Sequence, residues 1–448
     1  MASISSRLEK AHELMLAGAS QDAIAIASEV MDEDIDNGIA SAIITQAFVD
    51  LDRPGFARLF GEHSTSKFPN MGEAWVNLGN AYHVAYEPEK AIECQKKALE
   101  LRPDDFAAMN NIALSYVNLS EPEESIRWCD KAEKIRPRHV EVLETKGYAQ
   151  LMLHQWEEGW KNYNVGVGRS SDRKRRSYGD KVEPVWNGAK GKTVVLYGEQ
   201  GVGEELSFTS VVPQMKKDCN LIIETQASLE RLFKRSFDVP VYGTRYAHGL
   251  DWPEKHKIDA VISIGQAMAL YRKKDSDFPG TPYLVADEQR RVWWRAILDT
   301  FPGKKIGIAW NGGTMKTGKK RRSIPLKSFL PILDSTNTYI SLEYKDPMDE
   351  LNTLQTSSGI QIQNFSRYIN HKDYDDTAAL VSELDGIITV TTAVADLCGA
   401  LGVECDVLVP ERPHWRFYGE GNSTIWFNSL NIVRQNGTWD DTLKDAYA

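Results

Sequence analysis

Residues 74–103, AWVNLGNAYHVAYEPEKAIECQKKALELRP, decide the fold of the N-terminal third. Their landmarks are Trp75, Leu78, Gly79, Tyr82, Ala91, Ala98 and Pro103. Moving 34 residues on gives Met109, Ile112, Ala113, Tyr116, Ser125, Ala132 and Pro137, a well-matched second unit. Moving back from Ala91 reaches Ala57 and Ala23, and from Pro103 reaches Pro69; a further step forward reaches Leu143, Gly147 and Gly159. A fixed period of this length marks stacked structural repeats. Each unit reads as two antiparallel helices. Small residues at Gly79 and Ala91 let the pair approach closely, Trp75 and Tyr82 fill the gap, and proline closes the second helix.

This pattern resembles the tetratricopeptide repeat, with about four to five units over residues 5–165. We bound the array at residues 1–167. The resemblance implies a concave surface that takes an extended peptide or another protein. Whether the array binds a partner or packs on the next domain stays open at this level.

At 448 residues the chain is too long for one ordinary core, so two or three domains are expected. Its 42% apolar and 26% charged residues are those of a globular protein. There is no apolar run of membrane-spanning length, and the start MASISSRLEK lacks the apolar core of a secretory signal. Cys94, Cys129, Cys219, Cys398 and Cys405 form no CxxC pair and read as reduced thiols of a cytoplasmic protein. Residues 1–150 carry 15 Lys+Arg against 25 Asp+Glu; the totals are 53 and 63, so the remainder is balanced at 38 each. An acidic first third argues against a nucleic-acid clamp there.

GRSSDRKRRSYGDK, from Gly168 to Lys181, reads as a solvated linker over 168–182, or as a basic contact for an anionic acceptor. Beyond it, apolar β-rich runs alternate with helical patterns: TVVLY, LIIET, PVYG, DAVISI, then KIGIAW, YISLEY, IQIQNF, GIITV and CDVLVP. Such runs predict parallel sheets covered on both faces. FPGKK, from Phe301 to Lys305, separates the sets, so two Rossmann-like α/β lobes are expected at 183–302 and 303–448. Ligands of these folds bind outside the carboxyl ends of the strands.

Three loops there could carry chemistry. GEQGVGEEL, Gly198 to Leu206, has glycines at 198, 201 and 203 but neither dinucleotide nor P-loop spacing. Glu204 and Glu205 open its helix, where carboxylates are favoured by the dipole; the loop reads as one that presents a carboxylate, or as an ordinary first turn. In GIITVTTAVADLCGALGV a strand meets Thr391 and Thr392, either of which can cap the next helix, leaving N–H groups near Ala393 and Val394 for phosphate oxygens. In WNGGTMKTGKKRRSIPL, Gly312 and Gly313 permit close approach, and Lys316, Lys319, Lys320, Arg321 and Arg322 could neutralise a diphosphate. That run equally fits a solvated charge cluster. Asp275–Asp277 has the D-x-D form but reads as a loop, and no metal motif is found.

Taken together, LYGEQGVGEELSFTSVVP, PYLVAD, WWRAIL, IGIAWNGG, RSIPL, DDTAALVSELDGIITVTTAVADLCGALG and PHWRF, in this order behind the repeats, resemble bacterial and phage tetratricopeptide-glycosyltransferase proteins. Their C-terminal half is similar to the heptosyltransferase family, of GT-B fold. The resemblance implies inverting, metal-independent transfer from a nucleotide sugar, with no cofactor beyond that co-substrate. It implies Glu204 as catalytic base, with Glu205 as second choice and Gly201, Gly203 and Glu205 on the acceptor side. It implies Asn311, Gly312, Lys316, Arg322, Thr391, Thr392, Ala393, Val394, Asp396, Trp415 and Arg416 on the donor side. In the family motif DTAVAHLAGALG the present chain has TTAVADLCGALG, so Thr391 replaces an Asp and Asp396 a His. The expected acceptor is a macromolecule, most simply a protein; modified DNA is the alternative if the chain is phage-encoded. The competing class is a binding scaffold whose transferase half is catalytically weakened or inactive.

Overall fold

The computed structural model describes residues 3–169, 173–179, 182–247, 249–313, 319–369 and 372–447. The chain divides into two compact units, residues 1–153 and 154–448.

The first unit is helical. Helices begin at Gly38, Gly72, Phe106 and Val140, and their partners at Pro54, Pro88 and Pro122, each set spaced by the 34-residue period. Proline suits these starts because its missing N–H is one the first turn leaves unpaired anyway. The turn inside each pair repeats as well: Asp52, Tyr86 and Ser120 take φ of 55°, 60° and 60°, and Gly18 stands at the same phase with 79°. The following amide closes each turn, as in Glu87 N–H to Tyr82 O at 2.9 Å and Glu121 N–H to Tyr116 O at 2.9 Å. Gly79 is required by contact, since a Cβ there would lie 2.4 Å from Gln95 Nε2. Along the first helices of three successive repeats, amide side chains bond one another. Asn80 donates to Gln46 at 3.0 Å and accepts from Asn111 at 2.7 Å.

The second unit opens with a helix, Trp156–Tyr163, which the sequence reading counts in the repeat array. It holds two parallel sheets. Strands β1 (Thr193–Tyr197), β2 (Asn220–Glu224), β3 (Val241–Tyr242) and β4 (Ala260–Ser263) lie in the order β3-β2-β1-β4. Strands β5 (Lys305–Ala309), β6 (Thr338–Ser341), β7 (Ile362–Asn364), β8 (Gly386–Val390), β9 (Cys405–Val409) and β10 (Leu430–Arg434) lie in the order β10-β9-β8-β5-β6-β7. The second order is the doubly wound one, and it reverses between β5 and β8; the first reverses between β1 and β4. In folds of this order, the crevice beyond the carboxyl ends of those pairs is where a ligand is expected. The apolar core of the larger sheet gathers Ile308, Trp310, Phe329, Ile388, Val390 and Leu408. An aromatic cluster of Trp156, Trp160, Phe208, Phe278, Trp415 and Trp426 packs with centroid spacings from 4.6 to 6.5 Å. Among the described residues no helix is long and apolar enough to cross a membrane.

The segment read as a solvated linker is part of this unit. Arg173 donates to both oxygens of Glu199, at 3.0 and 3.3 Å, with both side chains buried. Arg176 grips Glu224 through Nε at 2.8 Å and through Nη2, and Tyr178 donates to the same carboxylate at 2.7 Å. The charge-rich composition suggested solvent; the cause is instead two buried glutamates at the ends of β1 and β2, which need counter-charges. These two arginines are therefore not free for an anionic acceptor.

Candidate functional site

The loop after β1 supplies Glu199, Glu204 and Glu205, and the short helix Val202–Phe208 carries the latter two in its first turn. Their fates differ. Glu205 is 1% exposed and fully engaged: it accepts from Arg245, from Thr225 Oγ1, and from Gln226 N at 3.3 Å and Nε2 at 3.2 Å. It ties the loops after β1 and β2 together and turns away from open space. Glu204 keeps 23% of its side-chain surface, and its Oε1 stands 3.8 Å from His414 Nε2 and 3.9 Å from Arg416 Nη2. Among the described residues no hydrogen bond reaches its carboxylate.

Gly201 caps the helix with φ −70°, and a Cβ there would meet only Glu204 Oε2, at 3.1 Å. Gly203 is different. A Cβ there would lie 2.4 Å from Asp396 Oδ2 and 3.5 Å from Arg416 Nη2. The space expected for an acceptor beside Gly203 is taken by a carboxylate from the second sheet's helix Ala393–Leu401.

Asp396 is engaged within the fold. Its side chain is 2% exposed, paired with Arg416 at 6%, through Nη1 to Oδ1 and Nη2 to Oδ2 at 3.0 Å. Ser207, from the helix after β1, donates to Oδ1 at 2.7 Å and accepts from Arg416 Nη1 at 2.7 Å. Burial works against the Arg416 charge, but Asp396 outweighs it and holds the guanidinium above its ordinary pKa. The pair fastens one sheet to the other. Trp415 likewise gives its ring to the aromatic cluster, 5.9 Å from Trp160 and 5.7 Å from Trp426.

At the switch point of the larger sheet, the loops after β5 and β8 meet. Arg322 donates to Thr391 Oγ1 at 3.2 Å and to Thr391 O. Burial first, then the nearby Arg416, lowers the Arg322 pKa, while Glu204 opposes the shift. Gly312 packs against Arg322, and its N–H bonds Ser323 Oγ at 3.0 Å. Thr392 caps the next helix, accepting from Val394 N at 3.2 Å, and the Ala393 amide lies at that helix's first position. Lys316 lies outside the described residues, as does the side chain of Lys320.

Two residues here went unread in the sequence. Glu343, after β6, accepts from Trp310 N and Asn311 N, both at 2.8 Å. Glu350 takes Trp310 Nε1 at 2.9 Å and Asn311 Nδ2 at 3.1 Å. Burial pushes the Glu343 carboxyl up to about 7 against the pull of those two amides. Asp275, in the D-x-D segment, is spent on Trp156 Nε1 at 2.6 Å and His154 Nδ1 at 3.1 Å.

Protein FlbA of Caulobacter vibrioides is 25% identical over 399 residues, covering 84% of this chain and 66% of FlbA, so the chain spans less than two thirds of that relative. A solved tetratricopeptide repeat protein of Thermus thermophilus, TTC0263, is 16% identical, with 38% of this chain and 92% of that chain covered and a TM-score of 0.34. PilF of Pseudomonas aeruginosa is 12% identical, with 39% and 78% covered and a TM-score of 0.34. Residues 72–105 and 106–139 match models of the tetratricopeptide repeat. With the 34-residue period of its helices, those two matches make the N-terminal region of this chain an array of tetratricopeptide repeats.

Proposed function

We propose that the second unit is an inverting glycosyltransferase of GT-B type, moving a sugar from a nucleotide-diphosphate donor to a macromolecular acceptor, a protein in the first instance. One observation carries this reading. Around the crevice Glu199, Glu205, Glu224 and Asp396 are each hydrogen-bonded to an arginine, whereas Glu204, 3.9 Å from Arg416 and 3.8 Å from His414, accepts no hydrogen bond among the described residues and keeps 23% of its side-chain surface. A carboxylate left open opposite a capped helix start and two guanidinium groups suits proton removal beside a departing anion.

In the reaction, the acceptor O–H gives its proton to Glu204 as its oxygen attacks the anomeric carbon. The bond from that carbon to the diphosphate oxygen breaks on the opposite face, and its electron pair leaves with the phosphate. The Ala393 N–H at the capped helix start, with Arg322 and Arg416 nearby, offsets the charge gained there. Glu205 holds the loop that carries Glu204. The nucleoside lies towards Asn311.

A second reading is favoured by the same packing: Asp396, Arg416 and Trp415, expected at the donor, serve internal contacts, as they would in a binding scaffold that has lost transfer. Thermal shift with UDP-, GDP- and ADP-sugars separates the two. A ligand at a hundred times its Kd stabilises by about 2.7 kcal/mol, so one nucleotide raising Tm supports the transferase and a flat response to all supports the scaffold.

A further inference from the structure

His414 lies in the loop after β9, at the mouth of the crevice, with its side chain 30% exposed and Nε2 3.8 Å from Glu204 Oε1. Charged groups face it from three elements: Glu204 from the helix after β1, Arg322 from the loop after β5, and Arg416 from its own loop. Asp396 stands behind Arg416, with both oxygens committed to it. Burial first, then Arg416 and Arg322, pushes the imidazole pKa well below its ordinary value, so at neutral pH the ring carries no charge. Beyond burial, the two guanidinium charges oppose protonation of the ring, and an anionic ligand would offset them. Two guanidinium groups and a carboxylate around one imidazole make a site whose proton occupancy follows the charge of what binds beside it.

We propose that His414 takes up a proton when a diphosphate enters the crevice, becoming a third cation for that anion and a hydrogen-bond donor between it and Glu204. This rests on the crevice being the nucleotide-sugar site. The proton comes from solvent, no covalent bond is made or broken in the step, and it leaves again with the ligand. Because the complex holds more protons than the free protein, affinity must fall as pH rises.

Intact UDP-, GDP- and ADP-glucose are the probes, since their diphosphate diesters do not themselves titrate near neutrality. Calorimetry of the full chain in buffers of different ionisation enthalpy counts the protons taken up, and repeats from pH 6 to 8 give the slope. Wild type is expected to take up a substantial fraction of one proton and to bind several-fold more weakly per pH unit. His414→Asn and His414→Gln, checked for folding by circular dichroism, are expected to bind with neither effect. Binding of a nucleotide sugar without proton uptake, or uptake that survives in both variants, overturns the role of His414 and leaves the transferase reading standing. No binding by any of the three in wild type overturns both.

Discussion

Gly203→Ala tests the claim that the loop after β1 is shaped by the second sheet and not by an acceptor. The new Cβ would sit 2.4 Å from Asp396 Oδ2, where ordinary contact begins at 3.4 Å, so the carboxylate must retreat by roughly 1 Å. It is not free to do so. That same oxygen accepts from Arg416 Nη2 at 3.0 Å, and the other is held by Ser207 and Arg416 Nη1. Retreat stretches the first bond to about 4 Å, beyond hydrogen-bonding reach. Losing one charged arm costs about 1.5–3 kcal/mol, and losing the whole buried pair about 3–5 kcal/mol. We expect a loss of about 2–3 kcal/mol, or roughly 3–5 °C in the Tm of this unit. Urea or thermal unfolding followed by tryptophan fluorescence reports on it, since only Trp75 and Trp128 of the twelve tryptophans precede His154. Gly201→Ala is the control, because its Cβ meets only the movable end of Glu204. Equal stability of the two variants would refute the reasoning.

The remaining predictions concern charge. Glu205→Gln strips Arg245 of its buried partner and should cost about 3–5 kcal/mol in urea unfolding, whereas Glu204→Gln should fall within about 0.5 kcal/mol of wild type. Arg176→Ala leaves the Glu224 carboxylate, among the described residues, with the hydroxyls of Tyr178 and Thr244, at 2.7 and 3.0 Å, and should destabilise by about 3–5 kcal/mol in the same assay; a solvated linker would give no change. Glu343, with its folded pKa near 7 against an ordinary 4.5, binds its proton more tightly when folded. Its stabilisation is therefore complete below pH 4.5 and is lost as pH rises through about 7. Glu343→Gln should gain on wild type across that window by up to about 3 kcal/mol, measured by unfolding at pH 5 and pH 8.

Much of the fold is legible because it is periodic. The 34-residue spacing follows from residue size alone, and strands such as TVVLY and GIITV match β1 and β8 residue for residue. β10, LNIVR, escaped because it neither alternates strictly nor forms a continuous apolar run. The left-handed turn positions of the repeats were invisible for a different reason: they are held by backbone bonds and accept Asp, Tyr and Ser alike. At the site, the capping threonine and the loop glycines could be read locally. The pairings that decide which carboxylate stays open could not. Arg173 with Glu199 spans 26 residues, Arg245 with Glu205 spans 40, and Ser207 with Asp396 spans 189. Composition gives the number of glutamates and arginines; only the fold says which of them meet.

The central claim is that Glu204 removes a proton during sugar transfer. Its most direct measurement is single-turnover transfer, followed by mass spectrometry, with the nucleotide sugar that raises Tm and the acceptor captured by the full chain. Glu204→Gln should bind that donor like wild type and lose about 10²–10⁴-fold in transfer rate. Transfer by Glu204→Gln at the wild-type rate would contradict the account.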